Sequence, residues 1–367
     1  PGLYAVKVTA TDDSNVVQTM TFMQAVYLTP TTNRPTLSMN LAYETRASGN
    51  SRLWVVNPDN DTVSVFDTVT NGKLAEIAVG KAPRALAIAP NGRVWVTNKG
   101  AATLSIIDPS TLAVVQTVNL PYASQPFGVA FAPTGNAAYI TLEASGKLLR
   151  FDPGTAAQTG SLDVGANVRH LAINSTGSKV YVSRFITPRV PGEETAAPQM
   201  NSGGGEVVLV DAASFSVSKT ILLRSSDKAD TEVQGRGVPN YLGPVVIAPD
   251  GINSWTPAKQ DDIFRGTLRD GNNLTFQNTV RAINSRIDLT TDTEDYASRM
   301  DHDNASVPST ALFDKSGNYL FVALETNRQV VVVDAYGKRE LFRIDVGRAP
   351  QGLALSADGL KLYVNNF

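Results

Sequence analysis

Residues 85–98 read ALAIAPNGRVWVTN: an apolar run, the turn Pro90-Asn91-Gly92, then a second apolar run around Trp95. Asn-Gly supplies the positive φ angles of a tight hairpin, so the stretch predicts two antiparallel strands. Two more follow, Thr103 to Ile107, closed by Asp108-Pro109, and Val114 to Val118. The phrase returns along the chain. Trp54, Trp95, Tyr139, Tyr181, Trp255, Phe321 and Tyr363 each sit in a short strand, in the words LWVVN, VWVTN, AYITL, VYVSR, SWTPA, LFVAL and LYVNN. Turns recur ahead of them at Thr134-Gly135, Thr176-Gly177, Asp250-Gly251, Ser316-Gly317 and Asp358-Gly359.

Where the beat is regular, as from Trp54 to Trp95 or Tyr139 to Tyr181, the spacing is about 41 to 44 residues. Repeats of ~40–50 residues with four strands each mark β-propeller blades, which bury their faces by stacking radially. The expectation is all-β: a seven-bladed β-propeller of four-stranded antiparallel blades, with the recurrent aromatic packed between blades. Asp67, Asp108, Asp152, Asp211, Asp334 and, less regularly, Asp288 end the third strands, where a carboxylate accepts backbone N–H bonds of the next turn. That role is structural.

Composition narrows the function. Charged residues are 18% and the net charge is −2, which argues against a nucleic-acid binder. No apolar run is long enough to span a membrane. The chain has no cysteine, which excludes disulfides, thiolate catalysis, Cys-ligated zinc and covalent c-type haem attachment within it. His170 and His302 are the two histidines. The first residue is Pro1, so a processed chain or a fragment is expected.

The words LYVNN, VYVSR and VWVTN, the turns APNG, SADG and APDG, and the linkers VGKAPRALAI and VGRAPQGLAL resemble the YVTN family of β-propeller repeats, from Arg52 to Phe367. The resemblance implies a bacterial or archaeal surface, periplasmic or secreted protein, extracytoplasmic and used for binding or as a scaffold. Some relatives adjoin c-type cytochrome or peroxidase-like domains. Haem would then require a domain beyond this chain.

Residues 36–367 are assigned to the propeller and 1–35 to N-terminal strands plus a linker, Thr29 to Pro35. The first 28 residues resemble the end of a PKD-type, Ig-like domain. Alternatively, Tyr4–Thr9 and Thr19–Leu28 complete the last blade, which stops after two strands.

Departures from the period mark candidate sites. Three insertions stand out: 185–205, 224–241 and 259–305. The inserted segments offer Arg236, Tyr241, Lys259, Asp262, Arg265 and Arg281 as binding residues, with local pairing expected for Asp262 and Arg265. Asp288 to Asn304 reads as an acidic loop. Asp295, Asp301 and Asp303 are its calcium candidates, since calcium takes six to eight oxygens; Arg281, Arg286 and Arg299 could answer its charge instead. His302 between two carboxylates suggests a transition metal. Aligning the innermost strands on their turns places Arg84, Phe127, Arg169, Gly243, Ser309 and Gln351 at one channel mouth, with Arg84, Phe127, Arg169 and Gln351 as binding residues. His170, if inward, is a haem or metal ligand candidate.

The leading expectation is a non-catalytic propeller that recognises a protein or carbohydrate through this mouth and the inserted loops. The alternative is an accessory module docking a c-type cytochrome or peroxidase domain. A polysaccharide hydrolase or lyase with Asp261 and Asp301 as acid and base ranks last. No residue is assigned as catalytic.

Overall fold

The computed structural model describes residues 1–195, 197–199, 203–275 and 278–367. Each regular blade starts at the centre with a Leu-, Pro- or Val-led strand and ends at the rim. The first comprises Leu41–Glu44, Arg52–Asn57, Thr62–Asp67 and Lys73–Ala78. The second comprises Pro83–Ile88, Val94–Asn98, Thr103–Asp108 and Ala113–Asn119; the third Pro126–Phe131, Ala138–Leu142, Lys147–Phe151 and Gln158–Asp163. The fourth is Val168–Ile173, Lys179–Arg184, Gly204–Asp211 and Ser216–Arg224, and the sixth Pro308–Phe313, Tyr319–Leu324, Gln329–Asp334 and Arg339–Asp345.

The fifth departs from this plan. Its strand Asn253–Asp261 is long enough to pair with both Val246–Ile247 and Arg236–Asn240, one along each half. Val280–Asp288 and Thr293–His302 continue the sheet outward, and Ser226–Asp227 pairs with Arg236–Asn240. Nearly half of 259–305 is therefore strand rather than loop, including most of the acidic stretch.

The expected seven-bladed ring is corrected to six blades. The seventh aromatic repeat gives only Pro350–Leu355 paired with Leu362–Asn366, lodged between the sixth and first blades. An aromatic word marks the second strand of a unit, so counting such words scores a half-built unit as a whole one. The N-terminal strands Gly2–Thr11 and Val17–Val26 pair with each other as a separate hairpin and do not complete the unit.

The motif residues have distinct mechanical roles. Trp54, Trp95, Tyr139, Tyr181 and Trp255 are at most 2% exposed and fill the spaces between sheets. Phe321, which adjoins the two-stranded unit, and Tyr363, which lies in it, are only partly buried. The hydroxyl two positions after the aromatic links neighbours: Thr97 donates to the Phe127 carbonyl (2.5 Å), Thr141 to that of Arg169 (2.6 Å) and Ser183 to that of Gly243 (2.7 Å). The Asn that ends the word reaches the third strand of its own blade. Asn57 donates to Thr62 and Ser64, and Asn98 to Thr103 and Ser105. Asp67, Asp108, Asp152, Asp211, Asp288 and Asp334 all accept turn N–H groups, as their position predicted.

Residues 31–40 fill the centre of the ring. The Thr31 N–H bonds to the Pro249 carbonyl, the Thr36 hydroxyl to that of Phe131, and the Ser38 N–H to that of Leu171. The Met39 carbonyl accepts from Leu86 and the Asn40 carbonyl from Val56. Thr310 reaches the Met39 sulfur, and any side chain at Gly352 would collide with Asn40. One short segment thus touches all six blades and the two-stranded unit, and it divides the channel into two cavities.

Candidate binding site at the upper channel mouth

The upper mouth is the end at which each innermost strand begins. A register shift recurs there, between Pro83 and Ala85, Pro126 and Val129, Val168 and His170, Pro308 and Thr310, and Pro350 and Gly352. A bulge re-aims the extra residue out of the ladder. The bulged residues include Arg84, Phe127, Arg169, Ser309 and Gln351, and all of them line one cavity of about 320 Å³ together with Gly243. Alignment on the turns thus brought together residues that do share a wall. Ser38, Met39 and Asn40 also line it, closing it against the lower mouth. The lower cavity, about 680 Å³, is lined by Arg34, Pro35 and Leu37 among others.

The charges are unevenly matched. Glu143, 8% exposed, accepts from Lys99 (2.6 Å) and Arg169 (2.9 Å). Lys259 pairs with Asp261 at 2.9 Å. Gln351 donates to Glu325 at 3.2 Å. Among the described residues, no hydrogen bond or ion pair reaches the Arg84 side chain, and its Nε is buried without a partner. Burial and then the Arg169 charge lower its pKa, with Glu143 and Asp59 acting in the other direction. His170 lies on the cavity wall, edge-on to Phe127 with centroids 5.2 Å apart. Burial, then Arg169, holds its imidazole down to about 3, so it is neutral at physiological pH.

A column of two stacked rings between two cations forms one side. The Arg169 guanidinium lies 3.4 Å from the centroid of Phe185, Phe185 stacks on Tyr241 at 4.4 Å, and the Lys259 ammonium lies 3.9 Å from the Tyr241 centroid. Each contact of this kind contributes about 0.5–2 kcal/mol. Sequence reasoning missed Phe185, Glu143 and Lys99 as members of this site. Glu143 meets Lys99 and Arg169 from neighbouring blades and Phe185 stacks on Tyr241 of the next blade, and a single-chain pattern carries no signal for such pairings.

Of the inserted-loop candidates, Tyr241 lines the cavity and Lys259 backs it. Of the others, Arg281 ties the 225–241 insertion to the fifth blade and Arg265 ties that insertion to the 262–279 one. Arg265 pairs with Asp230 at 2.5 Å rather than with Asp262, correcting the expected local pair. Asp262 accepts the Phe264 N–H at 3.0 Å, and burial first of all pushes its carboxyl up to about 6. Arg281 bonds to Asp301 at 2.7 Å and to the carbonyls of Thr231 and Glu232. Among the described residues, the buried Nε of Arg236 has no hydrogen-bond partner.

The metal candidates are dispersed. Asp295 is held by Arg286 at 2.5 Å, Asp301 by Arg281, and Asp303 accepts from Asn304. Arg299 takes Glu294 at 2.5 Å, so the three expected arginines do answer the acidic stretch. Among the described residues no three His, Asp or Glu side chains gather as a metal site. His302 is 1% exposed, its Nδ1 2.5 Å from Glu340 and its Nε2 2.8 Å from Asn284. Asp261 and Asp301 lie on strands that flank Val280–Asp288 on opposite sides, each beside its own cation. Residues 196, 200–202 and 276–277 of the insertions lie outside the described residues. Among the described residues no helix is long and apolar enough to cross a membrane.

Comparison with known proteins bears on the fold. The sequence model of the YNCE-like β-propeller family matches residues 17–187, a little under half of the chain. No curated protein matches it. Among solved structures, hydrazine synthase of Kuenenia stuttgartiensis is similar with a TM-score of 0.68 and 16% identity, over 86% of this chain and 89% of that one. At that identity the likeness shows the shared architecture alone.

Proposed function

We propose that this chain, a YVTN-type β-propeller, is a non-catalytic binding module whose working face is the upper mouth with the insertions of the fourth and fifth blades. One observation carries the reading: all three departures from the repeat emerge on the same face. Residues 185–203 join the second and third strands of the fourth blade. Residues 225–241 lead into the centre of the fifth blade, and 262–279 join its long strands. Each of those connections lies at the end where innermost strands begin, around the wall bearing Arg84, Phe127 and Arg169. Loops on a rigid scaffold are where binding residues concentrate.

The partner on this reading is a protein or carbohydrate outside the cytoplasm, in keeping with the resemblance to exported repeat proteins. The alternative, docking of a c-type cytochrome domain, has the shared fold as its support. Glycan and peptide arrays test the face. The wild type is compared with Phe185→Ala/Tyr241→Ala at the upper mouth and Arg34→Ala/Lys315→Ala at the lower. The expected result is binding lost in the first double variant and kept in the second. The reverse pattern would overturn the assignment.

A further inference from the structure

We infer that the upper cavity binds the carboxylate of an organic acid on Arg84. This rests on the reading of the upper mouth as the working face and names the chemistry it takes. Three other cations border this cavity or stand behind its wall, and each has a carboxylate: Lys99 and Arg169 share Glu143, and Lys259 has Asp261. Arg84 has no ion pair among the described residues; it is partly withdrawn from water with a second guanidinium near it, and the Glu143 and Asp59 carboxylates act on it only from beyond contact. Removing a charge from water without a partner is costly, so such an arrangement is stable against its alternatives only where something compensates it. A carboxylate is the anion whose two oxygens match the guanidinium fork.

The surroundings select further. The neutral His170 adds no second positive charge and Glu325 lines the same cavity, so the cavity suits a single incoming negative charge and disfavours a dianion such as phosphate. Phe127, Leu242, Val307 and Pro308 give the cavity an apolar wall, and Met39 and Asn40 close its floor. A volume of about 320 Å³ admits a metabolite-sized body and not a folded domain. The ligand is thus a carboxylate with an apolar body. It can be a free small acid or the C-terminal carboxylate of a peptide tail, and we commit to the free acid as occupant.

Isothermal titration of the whole chain with 3-phenylpropionate, its primary amide, and a Phe-terminated tripeptide in free-acid and amidated forms separates these sources. Wild type, Arg84→Gln and Arg84→Lys are compared. The expected result is saturable binding of 3-phenylpropionate, weakened about tenfold or more in Arg84→Gln, partly kept in Arg84→Lys, and absent for the amide. A folding defect is excluded if Arg84→Gln melts no lower than wild type, as removal of an unpaired cation predicts. Tighter Arg84-dependent binding of the free-acid tripeptide would keep the carboxylate site and overturn the free acid as its occupant. Equal binding of acid and amide, an unchanged affinity in Arg84→Gln, or no saturable binding of either acid would overturn the inference. Loss of the acid site with array binding still at the upper mouth sinks the inference alone. Array binding at the lower mouth with Arg84-dependent acid binding intact sinks only the assignment of the face.

Discussion

Asp262 keeps one carboxylate oxygen on the Phe264 amide, while the other is buried without a donor among the described residues and Asp230 adds a like charge. Its folded pKa, about 6, lies above the 3.8 of an ordinary aspartate. Below the lower value both folded and unfolded chains are protonated, and nothing is lost. As pH rises from about 4 through 6 the unfolded chain ionises first, so stability falls and stays lower above that window. Asp262→Asn keeps the acceptor for Phe264. It is expected to be neutral at pH 4 and to stabilise the protein by about 1–2 kcal/mol at pH 7–8 in urea denaturation. A loss of stability at pH 8 would contradict this account. At this scale the mouth residues Arg84, Phe127, Arg169 and Gln351 were legible, because each holds the same slot relative to a turn. The pairing of Arg265 was not: its partner, Asp230, comes from a different insertion, and sequence distance says nothing about which insertions touch.

Strands and their turns carry the next set of effects. Thr141 accepts the Gly128 N–H at 2.8 Å and donates to the Arg169 carbonyl on the next blade. Thr141→Val keeps the shape and strands both groups, so a loss of about 1–3 kcal/mol is expected in denaturant melts. No such loss would mean that the hydroxyl does not join the blades. The turn aspartates set the acid limit. Backbone N–H groups hold Asp67 and Asp152 below the usual carboxylate range, Asp67 at about 2. A depressed pKa stabilises the fold above the ordinary value, and that contribution is lost as pH falls from about 4 through 2. Asp67→Asn and Asp152→Asn are expected to flatten the melting-temperature profile across that window and to change it little at pH 7 beyond a uniform offset. The fifth blade shows why strand reading failed over 259–305. Its outer strands are held by cross-strand ion pairs, Arg286 standing opposite Asp295, in place of the apolar alternation that betrays a strand elsewhere.

Across the whole molecule, the repeat announced the architecture and misstated its count. Stability is expected to be uneven as a result. Leu362–Asn366 pairs on one side with Pro350–Leu355, and the N-terminal hairpin pairs only with itself and is largely exposed. Val94–Asn98 and Ala138–Leu142 are buried and paired on both sides. Hydrogen exchange on the isolated chain is expected to label the hairpin and Leu362–Asn366 well before those inner strands. Equal protection would show that a strand covers the open edge.

The segment at the centre of the ring also has a consequence under tension. A pull applied through the N-terminal hairpin does not peel away one outer strand at a time. It arrives at Thr31 and then at Thr36 to Asn40, whose bonds run to Pro249, Phe131, Leu171, Leu86 and Val56 on five different blades. Those bonds share the force around the circumference, so extraction must dislodge an axle while its spokes are loaded together. A hairpin that looks loosely attached is therefore coupled to the most widely braced point of the protein, and a tether at that end would hold the ring by its axis.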